Sequence, residues 1–350
     1  MRLFTLILMV FIFSTSVSCG EKSKKPFANI TIEQSNRLKL GDSLNANIKV
    51  RKRGGNIESV KVYLNSELIK ETKDEEFNIN IEKITKLGTN IISVDIIKTD
   101  GNKNKISQYL TVLSDVTPKE IKYTVKREFD HKREFYTQGL EYFNGNILES
   151  TGEHGESGIF LMDENAKSIM KEVRLDDKYF GEGITVLNNR IYQLTWQSKK
   201  GFVYNADDIT LIDSFSLPSS EGWGITNDGK HLIISDGTSR IFFLSPEDFK
   251  TQKSISIYND KGHVEYLNEL ELVGDKLYAN VYTTNTILKI DINTGQVLAY
   301  IDMSRLARQM KGTAEYPLDV LNGIAWNKEQ SSMLITGKRW PKYFEVVLAE

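Results

Sequence analysis

The sequence predicts an all-β protein in which a five-bladed β-propeller follows a small Ig-like β-sandwich. Two observations favour this fold. Residues 27–114 contain short stretches that alternate apolar and polar residues, separated by turn signals and without a long helical period. Residues 136–350 contain an internal repeat with a period in the forties, which is typical of propeller blades. With 350 residues, the chain is long enough for two domains.

The composition is that of a soluble globular protein, with 40% hydrophobic and 26% charged residues. Its 45 basic and 47 acidic side chains give a formal net charge of −2. Proteins that bind nucleic acid use an excess of basic residues to neutralise phosphates. We therefore expect no nucleic-acid partner, and a neutral or small polar partner is easier to reconcile with this charge.

The first 19 residues resemble a bacterial lipoprotein signal. Arg2 precedes an apolar run at residues 3–13 that is too short to span a bilayer, and small residues then lead to Cys19. In such signals the cysteine becomes the lipid-carrying first residue of the mature protein. We expect an exported protein that contacts a membrane only through a lipid on Cys19 and faces the periplasm or the cell surface. The alternative is a plain secretory signal in which Cys19 is incidental.

Residues 20–26 are predicted to be a polar linker and residues 27–114 the sandwich. Cys19 is the single cysteine of the chain, so the folded part has no disulfide, thiol nucleophile or cysteine metal cluster.

Two hairpins are predicted within the sandwich. Residues 46–50 precede residues 60–63 across an Arg-Gly-Gly turn, and residues 91–97 precede residues 106–112 across an Asp-Gly turn.

The propeller is assigned to residues 115–350, where five segments share one order of residue types. Each has a small or polar residue, an apolar residue, a turn and paired β-forming residues, and each therefore predicts a hairpin. The segments begin at residues 139, 183, 224, 269 and 323, which are 44, 41, 45 and 54 residues apart. The longest interval contains residues 304–310, which are predicted to form a short amphipathic helix in an insertion.

The residue before each repeat start can form hydrogen bonds, although the strand that follows is apolar. These residues are Gln138, Glu182, Trp223, Asn268 and Asn322. In a propeller, equivalent positions near the start of the innermost strands converge around the central axis, so the repeat predicts a ring of side chains at one mouth of the channel. A second ring is predicted where the second strand of a hairpin ends, at Trp196, Tyr282 and Lys338. Aromatic walls with a few directional polar groups are typical of a ligand pocket.

These residues also carry a resemblance to a known family. Six segments, in this order and at this spacing, look like motifs of the plant and bacterial glutaminyl-peptide cyclotransferases. They are YTQGL at 136–140, YFGEG at 179–183, EGWG at 221–224, LNELE at 267–271, DVLNGIAW at 319–326 and TGKRWPK at 336–342.

The resemblance implies an enzyme that converts the N-terminal glutamine of a peptide or protein to pyroglutamate and releases ammonia, an aminoacyltransferase. It also implies a five-bladed propeller, which agrees with the repeat count, and no catalytic zinc or other cofactor. The four histidines are consistent with this because no two of them have metal-ligand spacing. They are His131, His154, His231 and His263. We expect a monomer whose partner is a peptide or protein substrate with an N-terminal glutamine.

In this family the substrate's α-amine attacks its own γ-carboxamide carbon, and Glu182 matches the glutamate that moves the proton. Apolar walls would raise the pKa of Glu182 towards the working range. Lys338, with Gln138 or Asn268, would stabilise the oxyanion or hold the amide.

The aromatic positions complete the site that the resemblance implies. Trp196 and Trp223 match aromatic residues of the family's pocket and could clamp the methylenes of the glutamine. Tyr136 stands where phenylalanine is usual and Tyr282 where tryptophan is usual. Asn322 is equally consistent with a structural hydrogen bond and with a substrate contact.

Two other functions remain open on the sequence alone. One is a non-catalytic propeller lipoprotein that binds peptides or a cell-surface partner. The other is a calcium-dependent propeller hydrolase, which would need several acidic residues at the axis, where this ring has mostly amides and aromatics. Glu269 and Glu271 could pair with lysines or hold an ion in the channel, and no role is assigned to them.

Overall fold

The computed structural model describes residues 27–33, 37–51 and 55–349. Within these ranges the secondary structure is β-strand apart from one short helix, which confirms the all-β prediction. None of the described helical residues forms a segment long and apolar enough to cross a membrane. The predicted signal segment with Cys19 and the linker at 20–26 lie outside the described residues.

Eight strands form two sheets at the N-terminal end. They are β1 (Ala28–Ile32), β2 (Arg37–Lys39), β3 (Leu44–Val50), β4 (Ile57–Leu64), β5 (Glu67–Thr72), β6 (Glu76–Ile81), β7 (Gly88–Lys98) and β8 (Lys103–Leu113). One sheet has the order β1-β3-β6 and the other the order β2-β8-β7-β4-β5. Ile48 of the first sheet and Val62 of the second are fully buried in one shared core. Burial of these apolar faces holds the two sheets together.

One of the two predicted hairpins is confirmed and the other is wrong. Strands β7 and β8 pair antiparallel, from Gly88 opposite Val112 to Ile97 opposite Lys103. Strands β3 and β4 lie in different sheets, because β3 pairs with β1 and β6 while β4 pairs with β5 and β7. The connection between them therefore crosses from one sheet to the other, which short-range sequence patterns do not distinguish from a hairpin turn.

Five further sheets follow, each built on four strands. Their strands are β9 (Lys119–Glu120), β10 (Lys122–Asp130), β11 (Thr137–Phe143), β12 (Asn146–Thr151), β13 (Gly158–Met162), β14 (Ile169–Arg174), β15 (Gly181–Leu187), β16 (Arg190–Thr195), β17 (Lys200–Asn205), β18 (Leu211–Ser216), β19 (Ile225–Asn227), β20 (Leu232–Ser235), β21 (Arg240–Leu244), β22 (Thr251–Ser256), β23 (Leu267–Val273), β24 (Lys276–Val281), β25 (Thr286–Asp291), β26 (Val297–Asp302), β27 (Leu321–Asn327), β28 (Ser332–Gly337) and β29 (Lys342–Ala349). The helix α1 (Ser304–Ala307) lies between β26 and β27 and is shorter than the helix predicted at 304–310.

The five sheets are arranged around a common centre. Their first strands are β11, β15, β19, β23 and β27, which contact one another in that order, and β27 contacts β11 again. Every repeat start lies on one of these strands or, for Gly224, directly before it. Hydrogen bonds join each pair of neighbouring sheets. They are Ser150 Oγ to Glu182 O (2.5 Å), Gly183 N to Trp223 O (2.8 Å), Ser235 Oγ to Asn268 O (2.8 Å), Gly323 N to Asn280 Oδ1 (3.1 Å) and Asn322 Nδ2 to Thr137 O (3.0 Å).

The fifth sheet takes its outer strand from the segment before the first sheet. Its order is β10-β29-β28-β27, so β10 pairs along the last strand of the chain, from Lys122 opposite Ala349 to Asp130 opposite Lys342. Strand β9 extends the fourth sheet by a short parallel pairing with β26. The repeat in the sequence starts after β10 and did not reveal this strand.

Glycines permit the first strands to approach closely. A Cβ atom on Gly139 would lie 2.5 Å from the backbone nitrogen of Ile184, and one on Gly183 would lie 2.7 Å from that of Ile225. On Gly224 the Cβ would lie only 2.1 Å from the carbonyl oxygen of Asn268. Each of these distances is well inside van der Waals contact, so a methyl group at any of the three positions would force neighbouring sheets apart.

We expect Gly224→Ala to lower the free energy of unfolding by about 1–3 kcal/mol or more, because the added methyl collides with backbone that cannot move aside locally. Urea unfolding followed by tryptophan fluorescence measures this change. Gly262→Ala is the matched control, since a Cβ at Gly262 meets no described atom within 4 Å. Equal stability of the two variants would contradict the account of close strand packing.

Candidate active site

Four of the five residues of the first predicted ring lie in β-bulges on the first strands, and the fifth, Trp223, lies just before β19. Between Thr137 and Gly139, β11 has one residue more than the partner strand β12, and that residue is Gln138. Strands β15, β23 and β27 have the same irregularity at the equivalent position. A bulge turns a side chain away from the regular alternation of a strand and is frequent beside active sites. The repeat of bulges thus explains why polar side chains converge at the start of apolar strands.

A pocket of about 190 Å³ lies where these strands start. Its lining residues are Tyr136, Gln138, Phe180, Glu182, Trp196, Trp223, Asn268, Tyr282 and Lys338. We call this cavity the central pocket. It contains eight of the nine predicted pocket residues, while Asn322 lies behind Gln138. Its volume is below the range of about 300–1,000 Å³ found for drug-sized ligands, so it fits one amino-acid residue.

Glu182 is the carboxylate of the central pocket, and only 5% of the residue is exposed. Gln138 Nε2 donates a hydrogen bond of 3.0 Å to Glu182 Oε1. Burial raises the pKa of Glu182 well above its ordinary value of 4.5, the charge of Lys338 opposes this shift, and the charge of Glu221 adds to it. The carboxyl group of Glu182 therefore binds a proton more readily than an exposed glutamate does.

Lys338 follows β28 directly and is only 3% exposed. Its Nζ lies 4.8 Å from the ring centre of Tyr136 and 4.9 Å from that of Tyr282, so the ammonium group sits between two aromatic faces. Burial lowers the pKa of Lys338, while the charges of Glu182 and Asp319 oppose that shift. Cation–π attraction and nearby carboxylates thus compensate part of the cost of burying this charge.

The position of Lys338 is also fixed through its backbone. Its N–H donates to the carbonyl oxygen of Val320 at 2.9 Å, and its carbonyl oxygen accepts the N–H of Asp319 at 3.2 Å. Both partners, Val320 and Asp319, belong to the segment between β26 and β27, which we call the insertion. The insertion therefore helps to hold the pocket's ammonium group in place.

Two indoles and one carboxylate organise the aromatic walls. Trp196 Nε1 and Trp223 Nε1 each donate a 3.0 Å hydrogen bond to the same oxygen, Glu221 Oε2. The ring of Phe180 meets that of Trp196 edge to face at 5.5 Å, and the ring of Trp223 meets that of Tyr282 at the same distance. Sequence reasoning did not assign Phe180 or Glu221 to the site, although both lie inside the motifs at 179–183 and 221–224.

Glycines again provide the space that the rings occupy. A Cβ on Gly152 would lie 2.3 Å from the ring of Phe180, and one on Gly237 would lie 2.6 Å from the ring of Trp223. Neither ring could keep its place beside a larger residue.

The hydroxyl group of Tyr136 has a defined partner. It donates a 2.7 Å hydrogen bond to Asp319 Oδ2, and burial together with this bond raises the pKa of Tyr136. Asp319 is on the insertion and does not line the central pocket. The hydroxyl thus links the pocket wall to the insertion.

Asn322 and Asn268 have different environments. Asn322 Nδ2 donates to Gln138 Oε1 at 3.2 Å, so a chain of hydrogen bonds runs from Asn322 through Gln138 to Glu182. This chain fixes which side of the Gln138 amide faces the carboxylate. Asn268 lines the central pocket, and its buried Oδ1 has no hydrogen-bond partner among the described residues. An acceptor in that state is available to a donor on a ligand.

Glu269 points into the centre of the sheets, and in the part of the chain that the structure describes its hydrogen-bond partners are backbone N–H groups and not a lysine. Its Oε1 accepts the backbone N–H of Leu140 at 3.3 Å, and its Oε2 accepts that of Ile324 at 2.9 Å. Desolvation raises the pKa of Glu269 and Glu271 and raises that of Glu141 to about 7. In residues 27–33, 37–51 and 55–349, no three His, Cys, Asp or Glu side chains are grouped so that they could hold a metal ion.

Comparisons with known proteins agree on one family. The sequence model of glutamine cyclotransferase matches residues 99–348. A glutaminyl-peptide cyclotransferase of Arabidopsis thaliana is 37% identical over 228 residues, which are 65% of this chain and 71% of that protein. The crystal structure of Myxococcus xanthus glutaminyl cyclase is similar with a TM-score of 0.61 and 31% identity, over 66% of this chain and 98% of that chain.

The raised pKa of Glu182 makes a prediction about stability and pH. Between pH 4.5 and the higher pKa of the folded state, the folded protein holds a proton on Glu182 that the unfolded chain has lost. The contribution of Glu182 to the free energy of unfolding is therefore fully present below pH 4.5 and is lost as the pH rises through the folded-state pKa of Glu182. Relative to Glu182→Gln, the wild-type free energy of unfolding should fall by up to about 1.4 kcal/mol per pH unit across that window.

Urea unfolding of both proteins at a series of pH values measures this difference. The glutamine variant keeps the acceptor for Gln138 but cannot ionise, so titrating groups distant from the central pocket cancel in the comparison. Parallel stability curves for the two proteins would show that Glu182 has an ordinary pKa.

Proposed function

The chain belongs to the glutamine cyclotransferase family, and from this membership we propose how the central pocket catalyses glutaminyl-peptide cyclotransfer. The observation that carries the proposal is Glu182, a buried carboxyl group with a raised pKa on the wall of a pocket that fits one residue. Family membership does not favour the alternative of a non-catalytic binding protein.

For the fold, we propose a five-bladed β-propeller preceded by an Ig-like β-sandwich. The cyclic contacts between the five first strands support the propeller, with each sheet as one blade. The shared core of the two N-terminal sheets supports the sandwich. On this proposal, the central pocket is one mouth of the channel between the blades.

The proposed reaction is intramolecular. The α-amine nitrogen of the substrate's N-terminal glutamine attacks the γ-carboxamide carbon, and a C–N bond forms that closes the five-membered ring. The bond from that carbon to the amide nitrogen breaks, and the nitrogen leaves as ammonia. This is an acyl transfer to the substrate's own amine. The enzyme has to fold the chain end, remove one proton from the amine and supply one to the leaving group.

Glu182 carries both proton transfers in this proposal. As a carboxylate it accepts the proton from the attacking amine, and as a carboxylic acid it returns the proton to the departing nitrogen. A general acid–base works best when its pKa lies near the operating pH, and burial moves the pKa of Glu182 in that direction. The hydrogen bond from Gln138 keeps one carboxyl oxygen in place and leaves the other available.

Lys338 stabilises the negative charge that develops on the γ-carbonyl oxygen. Its ammonium group is already desolvated and held between Tyr136 and Tyr282, so little reorganisation is needed when the charge appears. The unpaired Oδ1 of Asn268 accepts a hydrogen bond from an N–H of the substrate. Trp196 and Trp223 pack against the two methylene groups of the glutamine side chain.

The remaining functional alternative is a calcium-dependent hydrolase. The carboxylate of Glu269 supports the fold instead, because its two oxygens accept backbone N–H groups from two other first strands, β11 and β27. A chelator in the assay separates this alternative from a metal-independent cyclotransferase.

For the cellular setting, we propose an exported, monomeric enzyme that is anchored through a lipid on Cys19 and faces the periplasm or the cell surface. Its partner is a peptide or protein with an N-terminal glutamine, and no nucleic acid takes part. The lipoprotein-like sequence before Cys19 and the near-neutral net charge of −2 support this setting.

Glu182→Gln should lower the rate of ammonia release from a short peptide with an N-terminal glutamine by at least about 10²-fold, because acid–base transfer by a positioned carboxyl group contributes about 10²–10⁴-fold. The assay contains a chelator and couples ammonia to an absorbance change. The thermal midpoint of the variant should stay close to that of the wild type, since glutamine has the shape of glutamate and keeps an oxygen that accepts the hydrogen bond from Gln138.

Glu329→Gln is the matched control, because it removes one carboxylate in the turn between β27 and β28, at the other end of those strands. It should keep wild-type activity. An inactive wild-type enzyme would favour the binding function, and activity that appears only without chelator would favour a metal enzyme.

Cys19→Ser should abolish lipid attachment without changing the turnover of a soluble peptide. Metabolic labelling with a radioactive fatty acid in a bacterial host measures the attachment. Equal labelling of the two proteins would contradict the assignment of Cys19.

A further inference from the structure

A second cavity, of about 430 Å³, adjoins the central pocket. Tyr136 lines both cavities, and the consecutive residues Lys338 and Arg339 line one each. We call it the outer cavity. Its lining residues are Tyr136, Glu153, Glu156, Glu315, Tyr316, Pro317, Leu318, Asp319 and Arg339. Anything that extends from the central pocket past Tyr136 therefore enters the outer cavity.

Two segments without a role in the reaction build this cavity. One is the end of the insertion between β26 and β27, which contributes residues 315–319 and makes the last repeat interval the longest. The other is the loop between β12 and β13, which contributes Glu153 and Glu156. The hydrogen bond from Tyr136 to Asp319 joins the insertion to the wall of the central pocket.

The outer cavity has more negative than positive charge. Four carboxylates line it, and Arg339 is the one cation among its lining residues. The guanidinium group lies 3.9 Å from Glu153 and 3.5 Å from Glu156, and it stacks near the rings of Tyr136 and Tyr316 at 5.6 and 5.5 Å. Arg339 therefore compensates the carboxylates on the loop, and Lys338 of the central pocket interacts with the charge of Asp319. Glu315, on the insertion, has no cation of its own among the lining residues.

The substrate itself supplies the ligand for this cavity. The central pocket of about 190 Å³ fits one residue, yet a peptide substrate continues from the carbonyl of its N-terminal glutamine. The next residue has to lie outside the central pocket, and the outer cavity is open beside it, with acidic groups and two aromatic rings on its walls. Carboxylates and aromatic faces both attract a cationic side chain.

We propose that the outer cavity is the subsite for the residue that follows the N-terminal glutamine, and that it favours lysine or arginine there. The subsite rests on the proposed cyclotransferase function, since it requires the glutamine to occupy the central pocket. It selects among substrates and takes no part in bond making or breaking.

The test compares three amidated peptides that begin Gln-Lys-Ala, Gln-Ala-Ala and Gln-Glu-Ala, with ammonia release by the full chain as the readout. At about 0.01 M salt, kcat/KM for the lysine peptide should exceed that for the glutamate peptide by about tenfold, with the alanine peptide between them. At about 1 M salt the three values should converge, because screening weakens interactions between exposed charges.

The double variant Glu156→Gln and Glu315→Gln should reduce the lysine-to-glutamate ratio by about fivefold, whereas Glu329→Gln should leave the ratio at its wild-type value. Both residues of the double variant are exposed, and turnover of the alanine peptide reports that the variant is folded. Equal kcat/KM for the three peptides at low salt, or an unchanged ratio in the double variant, would overturn the subsite and leave the cyclotransferase function standing. Failure of every peptide to release ammonia would overturn both.

Discussion

Around the centre of the five sheets, the first strands approach so closely that neighbouring backbones are in contact. Hydrogen bonds join each neighbouring pair, and Glu269 accepts the backbone N–H of Ile324 on the neighbouring strand β27 and that of Leu140 on β11, the next strand round the circle. Small residues are essential at this point, since a Cβ on Gly224 would lie 2.1 Å from a backbone oxygen. The other features of the site depend on this contact, because it brings side chains from five separate hairpins into one pocket of about 190 Å³.

Burial in that pocket acts in opposite directions on its two charged groups. It raises the pKa of Glu182 and lowers that of Lys338, while the attraction between them opposes both shifts. Burial thus moves the pKa of Glu182 in the direction that its proposed acid–base role requires, while the charge of Glu182 favours the ammonium form of Lys338 that its proposed electrostatic role requires. Hydrogen bonds from and to neighbouring residues keep these groups and the aromatic walls in place. Gln138 orients the carboxyl group, and Glu221 holds both indoles of the wall.

Features that depend on a short stretch of the chain could be predicted from the sequence. The five hairpins and the ring residues could be predicted because each repeat contains its own turn and its own polar residue before the strand. Strand β10 was missed because its partner is the last strand of the chain and no local pattern reports such a pairing. The prediction that β3 and β4 form a hairpin was wrong for the same reason. Each strand pairs with strands that are distant in the sequence, and these pairings place the two strands in different sheets. Glu221 and Asp319 were missed because they act on pocket residues from behind, which residue type alone does not reveal.

The pairing of β10 with β29 sets the order in which the molecule can fold. Asp130 and Lys342, which meet at one end of this pairing, are separated by 212 positions in the chain. The last sheet cannot gain its outer strand until β29 has left the ribosome, and contacts between such distant segments form slowly. The earlier hairpins can form as they are synthesised, but the circle of sheets remains incomplete until β27, β28 and β29 have been synthesised. During that interval, unpaired strand edges are exposed and could bind a chaperone or another unfinished chain. A chain that stops short of β29 would retain the polar side chains of the pocket and lack the closure that holds them in place.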